Sequence, residues 1–138
     1  MSDSPIQRLV QAMDGLDVDG LVALFAPAGK LMTADGRHAE GADGLRALLT
    51  EFFDALRSTT HTITEEWHKD NVWIGEVDAS YELRDWLQMN HLPRVFVVRA
   101  GSEGIDDLRV YGAHERPISE HRTGEEGMWV GARWIPPL

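Results

Sequence analysis

Apolar residues in the first part of the chain recur every three or four positions, the spacing of one face of an α-helix. A first helix is predicted to follow Ser4, whose hydroxyl can cap it with Gln7 as the capping-box partner, and Pro5 suits its first position. A second, short helix is capped by Asp17 or Asp19 and ends before Pro27 and Gly29. A third runs from Asp43 to about Arg57. The apolar residues of the three faces are Ile6, Leu9, Val10, Met13, Leu21, Val22, Leu24, Phe25, Leu45, Leu48, Leu49, Phe52 and Leu56.

Beyond the third helix the apolar spacing changes to two, which predicts β-strands joined by tight turns. A short strand and an Asp35-Gly36 turn are also expected between the second and third helices. Helices followed by consecutive antiparallel strands indicate an α+β fold in which the helices cover one face of a sheet. The predicted strands are Lys30 to Ala34, His61 to His68, Val72 to Arg84, Gln88 to Ala100 and Ile105 to His114.

The last predicted strand carries two different faces. Asp107, Arg109 and Tyr111 share one face, and Leu108 and Val110 share the other. Hydrophobicity alone predicts that the face with Leu108 and Val110 is buried. If the polar trio instead lines a cavity, it offers an acceptor, a cation and a donor for a polar ligand, whereas the alternative is a structural ion pair with a core tyrosine.

The C-terminal part has a different character. Residues 119–127 are polar and lack periodicity, which is typical of a linker, while residues 128–135 contain Trp129 and Trp134 in an apolar alternation. We therefore expect residues 1–118 to form the domain and residues 119–138 to be a linker and docking tail. The tail is expected to dock as an added strand on its own sheet or against a second subunit.

The composition of the chain excludes several classes of chemistry and of binding partner. A chain of 138 residues with 43% hydrophobic content can bury one core. It has no cysteine, which excludes disulfides and thiolate chemistry and fits a cytoplasmic protein. The formal charge of -10, without a basic cluster, makes nucleic acid a poor partner. The first residues contain neither a basic region nor an apolar run, and no apolar run is long enough to span a membrane, so neither export nor membrane insertion is expected.

Several short motifs occur in a defined order and spacing along the chain. They are Leu-Asp-Val-Asp-Gly-Leu-Val-Ala-Leu-Phe-Ala-Pro at Leu16 to Pro27, Asp35-Gly36-Arg37, the Glu40 to Arg46 helix start, His61, Trp67 and Leu-Arg-Val-Tyr at Leu108 to Tyr111. Together they resemble the SnoaL-like branch of the nuclear transport factor 2-like superfamily, and the resemblance covers roughly residues 5 to 116. It implies a cone-like fold in which a curved antiparallel sheet wraps around a pocket with about three N-terminal helices on its concave side, usually in a homodimer.

The resemblance does not fix an activity, since the fold hosts isomerases, cyclases, hydrolases, dehydratases and non-catalytic binders. At the positions that match the catalytic tyrosine and two aspartates of ketosteroid isomerases, this chain has Leu9, Thr33 and Arg94. None supports that chemistry. Ala113 also stands where many SnoaL-like members have an aspartate.

The resemblance favours an inward orientation for the polar face of the last strand, with Leu108 and Val110 outside. Asp107, His61 and Tyr111 are then the candidate catalytic residues. The alternative for His61 is a hydrogen-bonded structural histidine. The candidate ligand-binding residues are Arg109, Arg94, Trp67, Tyr81 and Phe52.

Two hypotheses follow. The first is a small-molecule pocket enzyme, a cofactor-independent isomerase, cyclase, dehydratase or hydrolase, in which Arg94 or Arg109 stabilises negative charge. The second is a ligand-binding or assembly module with the same pocket and no turnover. The sequence contains no helical metal-binding motif, phosphate-binding glycine loop or dinucleotide fingerprint, so no cofactor or metal is expected.

Overall fold

The structure of the chain, a computed structural model, describes residues 4–112. Three helices cover one face of a six-stranded, curved and unclosed sheet with the strand order β2-β1-β6-β5-β4-β3, which confirms the predicted α+β cone fold. The predicted linker and tail, residues 119–138, lie outside the described residues. The elements are α1 (Pro5–Asp14), α2 (Val18–Ala23), β1 (Phe25–Met32), β2 (His38–Glu40), α3 (Gly41–Asp54), β3 (Leu56–Lys69), β4 (Val72–Leu83), β5 (Gln88–Gly101) and β6 (Gly104–Tyr111).

The helix starts follow from local hydrogen bonds. The backbone N–H of Gln7 donates to the Ser4 hydroxyl at 3.1 Å, and the Gln7 side chain accepts from the Ser4 N–H at 3.2 Å, so the predicted capping box is present. Asp17 caps α2 by accepting from the Gly20 N–H at 2.9 Å. In the described part of the chain, no helix is both long and apolar enough to cross a membrane.

The first strand differs from the prediction, because β1 begins at Phe25 and contains Pro27 and Gly29. It pairs in parallel with β6, and the register shifts between Phe25 and Lys30. A proline and a glycine are tolerated at such an irregularity, since the ladder is interrupted there. A Cβ on Gly29 would lie 2.7 Å from the Ile105 carbonyl oxygen, so this close approach of two backbones requires glycine.

The other boundaries also shift. The third helix ends at Asp54, earlier than predicted, and β3 starts at Leu56 instead of His61. The three-residue strand β2, which is too short to show a periodicity, was not predicted. The remaining sheet pairs, from β3 through β6, are antiparallel as expected.

The sheet therefore has an inner face, which the helices cover, and an outer face on its other side. The core lies between the helices and the inner face, where Ile6 and Leu9 of α1 and Leu45 of α3 meet Phe96 and Val98 of β5, all of them at most 1% exposed. This arrangement decides which side chains of each strand lie under the helices and which face away from them.

Candidate functional site

Four polar side chains converge on the inner face and are called the inner cluster: Asp14, His61, Tyr81 and Arg94. Asp14 ends α1, whereas the other three come from β3, β4 and β5. The rings of His61 and Tyr81 meet edge to face, with centroids 5.7 Å apart. Three adjacent strands and one helix end thus place a carboxylate, an imidazole, a phenol and a guanidinium together.

Asp14 holds His61 by two contacts. Its Oδ1 lies 2.8 Å from His61 Nδ1, and its Oδ2 accepts from the His61 backbone N–H at 3.2 Å. A carboxylate oxygen accepts hydrogen bonds, so Nδ1 is the donor in this contact, and Nε2 is the ring nitrogen left to act as a base. The pair has the arrangement of an oriented general base.

Tyr81 stays protonated at neutral pH. Its burial raises the pKa of the hydroxyl to about 12, an effect to which the negative charge of Asp14 adds and which Arg94 opposes through its charge and its hydrogen bond. Arg94 is 2% exposed and also donates from Nη1 to the Pro93 carbonyl oxygen at 3.0 Å. The phenol can therefore donate a hydrogen bond beside a buried cation.

We expect the ionisation of Tyr81 to report this environment directly. The chain has two tyrosines, so Tyr111→Phe leaves Tyr81 as the only one. Ultraviolet titration of the phenolate should give a midpoint near 12 in the folded variant, against the ordinary tyrosine pKa of 10.0. In denaturant the same variant should return to the ordinary value, which serves as the control.

The sign of the linked stability change follows from the raised pKa. The folded state favours the protonated phenol. The stabilisation that Tyr81 gives the folded state is therefore fully present below pH 10.0 and is lost as the pH rises through about 12. The loss amounts to roughly 3 kcal/mol, since one pKa unit corresponds to about 1.4 kcal/mol. A folded-state midpoint near 10 would contradict this environment.

Apolar rings surround the inner cluster. Phe52 of α3 lies 6.1 Å from the Tyr81 ring, and Phe96 of β5 lies 6.2 Å from the His61 ring, measured between centroids. The structure thus brings together four of the residues that the sequence singled out, namely His61, Tyr81, Arg94 and Phe52. Their roles stay predictions.

The expected orientation of the last strand is wrong. Leu108 and Val110 face the core, with 1% and 8% exposure, whereas Arg109 and Tyr111 are on the outer face and Tyr111 is 45% exposed. Asp107 accepts from Arg109 Nε at 3.0 Å on that face. Covering the aliphatic pair and leaving the ion pair near water avoids the desolvation of two charges.

Arg109 is a permanent cation on the outer face. The hydrogen bonds from its side chain to Asp107 and Tyr111 raise its pKa above the ordinary value, and Arg99 reaches the same Asp107 carboxylate at 3.5 Å. These contacts are those of a structural ion pair, the alternative reading of Asp107 and Arg109. Asp107, Arg109 and Tyr111 therefore lie on the face of the sheet that the helices do not cover.

Trp67, which was predicted to bind a ligand, is also on the outer face, although uninterrupted alternation along β3 would place its side chain on the same face as that of His61. The β3–β4 register shifts between Ile63 and Glu65, and this bulge reverses the alternation. Beyond it Glu66 points inward and accepts from the Ser4 hydroxyl, while Trp67 is 48% exposed. Trp67 as a pocket wall beside His61 is therefore wrong.

Sequence reasoning missed Asp14. Its signal was the helical spacing of α1, because Asp14 is four residues after Val10 and continues the stripe that Ile6 and Val10 begin. A carboxylate on the apolar face of a helix has a specific partner more often than not, since its burial is unfavourable. Here that partner is His61.

A second histidine–carboxylate pair lies on the outer face. His91 Nδ1 is 3.0 Å from Asp78 Oδ2, and both line an open cleft of about 530 Å³. His91 has a φ of 58°, a left-handed conformation that the bulge between β4 and β5 imposes. Its side chain is 81% exposed, in contrast to 3% for the His61 side chain. Within residues 4–112, no group of three or more carboxylate or histidine side chains is arranged to hold a metal ion.

Comparisons with known proteins agree with this fold. The family model described as SnoaL-like domain matches residues 6–105. A hypothetical protein with a ketosteroid isomerase-like fold from Catenulispora acidiphila, solved with trimethylamine, shares 16% identity at a TM-score of 0.74, over 82% of this chain and 88% of that chain. Among curated proteins, none matches this chain.

Two further solved structures are similar to this chain in fold. A proposed SnoaL-like polyketide cyclase from Jannaschia sp. CCS1 shares 10% identity at a TM-score of 0.66, over 80% of this chain and 90% of that chain. TerC, co-crystallised with polyporic acid, shares 10% identity at a TM-score of 0.68, over 79% of this chain and 88% of that chain. At these identities the likeness establishes the fold alone.

Proposed function

The chain belongs to the SnoaL-like domain family, and from that premise we propose that it binds a small, partly apolar molecule under its helices and acts on it by acid–base chemistry. The proposed reaction class is a cofactor-independent isomerisation, cyclisation, dehydration or hydrolysis. The observation that carries the proposal is the Asp14–His61 pair beside Tyr81 and Arg94 on the inner face.

Each member of the inner cluster has a chemical role in this proposal. His61 Nε2 removes a proton from the substrate, and Asp14 stabilises the imidazolium that forms. Arg94 and the Tyr81 hydroxyl stabilise the negative charge that develops on a substrate oxygen. Phe52 and Phe96 supply apolar contacts for the carbon skeleton.

The position of Asp14 supports a direction of entry. Its side chain is 32% exposed, whereas the His61 side chain is 3% exposed. A ligand therefore approaches from the end of α1, where the carboxylate meets solvent. The buried guanidinium of Arg94 favours a ligand with a carbonyl, enol or acidic oxygen, and one structure with the same fold was co-crystallised with an acid.

The burial of His61 also favours a second candidate function, the non-catalytic binding of such a ligand. A base must reach the proton it removes, and a side chain that is 3% exposed does so only if the helices move apart when the ligand binds. Without that opening, the inner cluster orients a ligand at its rim and no turnover follows.

A thermal-shift screen of cyclic ketones, quinones and aromatic acids, followed by product analysis, tests both functions. His61→Asn should lower turnover of a converted hit by about 10² to 10⁴-fold, because the general base is lost. His91→Asn is the matched control, since His91 forms the same kind of pair with Asp78 on the outer face. It should leave turnover unchanged.

The outcomes separate the two functions. A hit that is bound but never converted, and whose binding weakens with Asp14→Asn, supports the binding module. Hits whose binding and conversion are unaffected by both His61→Asn and Asp14→Asn would overturn the inner cluster as the site.

A further inference from the structure

An apolar stripe crosses the outer face from β6 to β3 and consists of Tyr111, Val95, Val97, Ile74 and Trp67. Cross-strand pairing links its members, since Tyr111 is opposite Val95, Val97 is opposite Ile74, and Ile74 is opposite Trp67. Tyr111, Ile74 and Trp67 are 45%, 37% and 48% exposed. A continuous row of large apolar side chains of this kind marks a surface that another segment covers.

A buried acceptor beside the stripe is a second indication that another segment covers this surface. Asp78 Oδ1 has no hydrogen-bond partner among residues 4–112, although its Oδ2 is paired with His91. Asp78 lines the 530 Å³ cleft together with Glu76, Val95, Tyr111 and the buried Arg94, so this cleft carries two carboxylates against one guanidinium next to the apolar stripe. A buried acceptor without a donor is unfavourable, and a cationic or N–H donor would relieve it.

The last described strand ends at this surface. β6 ends at Tyr111, the first member of the stripe, and residues 113–138 follow. Residues 128–135 read Met-Trp-Val-Gly-Ala-Arg-Trp-Ile, in which two tryptophans accompany one ionisable side chain, Arg133. The segment thus combines apolar rings with a single cation, the complement of an apolar stripe beside Glu76 and Asp78.

The segment that follows Tyr111 is long enough to reach every part of the stripe. Three strand spacings separate β6 from β3, about 14 Å in total. Residues 113–127 can span at most about 50 Å when extended, and the eight residues from 128 to 135 about 26 Å. The connecting residues are long enough to place the segment anywhere along the stripe, and the tether to Tyr111 raises its local concentration there above that of a separate chain.

We propose that residues 128–135 dock on the apolar stripe of their own sheet, with Arg133 beside the carboxylates of Glu76 and Asp78. This proposal does not rest on the function proposed for the inner cluster, although Arg94 of that cluster also lines the cleft. It assigns the outer face to the same chain and not to a second copy.

The absence of native cysteine allows a crosslinking test in the full chain. Ala132→Cys is combined with Thr64→Cys, at an exposed position that lines the cleft, and treated with a short bismaleimide. The matched control combines Ala132→Cys with Thr50→Cys, an exposed position on α3, on the helix side of the sheet. The first pair should form an intramolecular crosslink about tenfold faster, because docking concentrates the tail at the cleft.

Two results would overturn the proposal. Equal rates for the two pairs mean that the segment does not dock at the cleft, and crosslinked dimers from the first pair mean that a second copy supplies it. As a second measurement, deleting residues 128–138 should lower the melting temperature by about 5 °C at unchanged oligomeric state. An unchanged melting temperature, or a fall from dimer to monomer on deletion, would also contradict docking within one chain.

Discussion

Replacing Phe96 by alanine is expected to lower the free energy of unfolding by about 4 kcal/mol, because a fully buried aromatic ring is removed from the core. Phe96 is 1% exposed and packs edge to face against His61. The neighbouring Val97 is half-buried on the outer face, so Val97→Ala should lower it by only about 1 kcal/mol.

Urea unfolding of both variants and of the wild type measures these changes. Since the two positions are adjacent in β5, the difference between them reports which face the helices cover. A larger loss for Val97→Ala than for Phe96→Ala would reverse the assignment of the inner and outer faces.

Replacing Arg94 by methionine is expected to weaken an acidic ligand of the inner cluster by about 10²-fold, because the guanidinium is the buried cation of the site. Stability should change little. The removal of a desolvated charge is favourable, while the Tyr81 hydroxyl loses a partner, and these two effects oppose each other. Calorimetric titration with a ligand from the screen and urea unfolding measure the two quantities.

Arg109→Met provides the matched control, since Arg109 is an exposed arginine of the outer face. It should leave ligand affinity unchanged. If Arg94→Met instead binds as tightly as the wild type but unfolds with a loss above about 3 kcal/mol, Arg94 is a structural residue, and the proposed stabilisation of substrate charge fails.

The elements that sequence analysis located well are those fixed by contacts between near neighbours. The capping box joins Ser4 to Gln7, and Asp17 caps a residue three positions on, so both helix starts can be predicted without knowing the rest of the fold. Simple alternation along β4 likewise puts Val77, Ala79 and Tyr81 on one face, and all three are buried.

The predictions of side-chain orientation and of site residues failed where they depend on contacts between residues that are distant in the sequence. Alternation in β6 divides Leu108 from Arg109 but does not state which side the helices cover, and hydrophobicity predicted the observed side whereas the family resemblance favoured the other. The bulge that moves Trp67 outward is set by pairing between β3 and β4. Asp14 becomes a site residue only when β3 brings His61 to the end of α1.

The bulge between Ile63 and Glu65 also divides β3 into two halves whose marked side chains lie on opposite faces of the sheet. The half with His61 contributes to the inner cluster, and the half with Trp67 contributes to the outer surface. Because the alternation reverses within one continuous strand, a substitution at His61 changes the inner face and a substitution at Trp67 changes the outer face. The two surfaces that this strand serves can therefore vary separately in sequence.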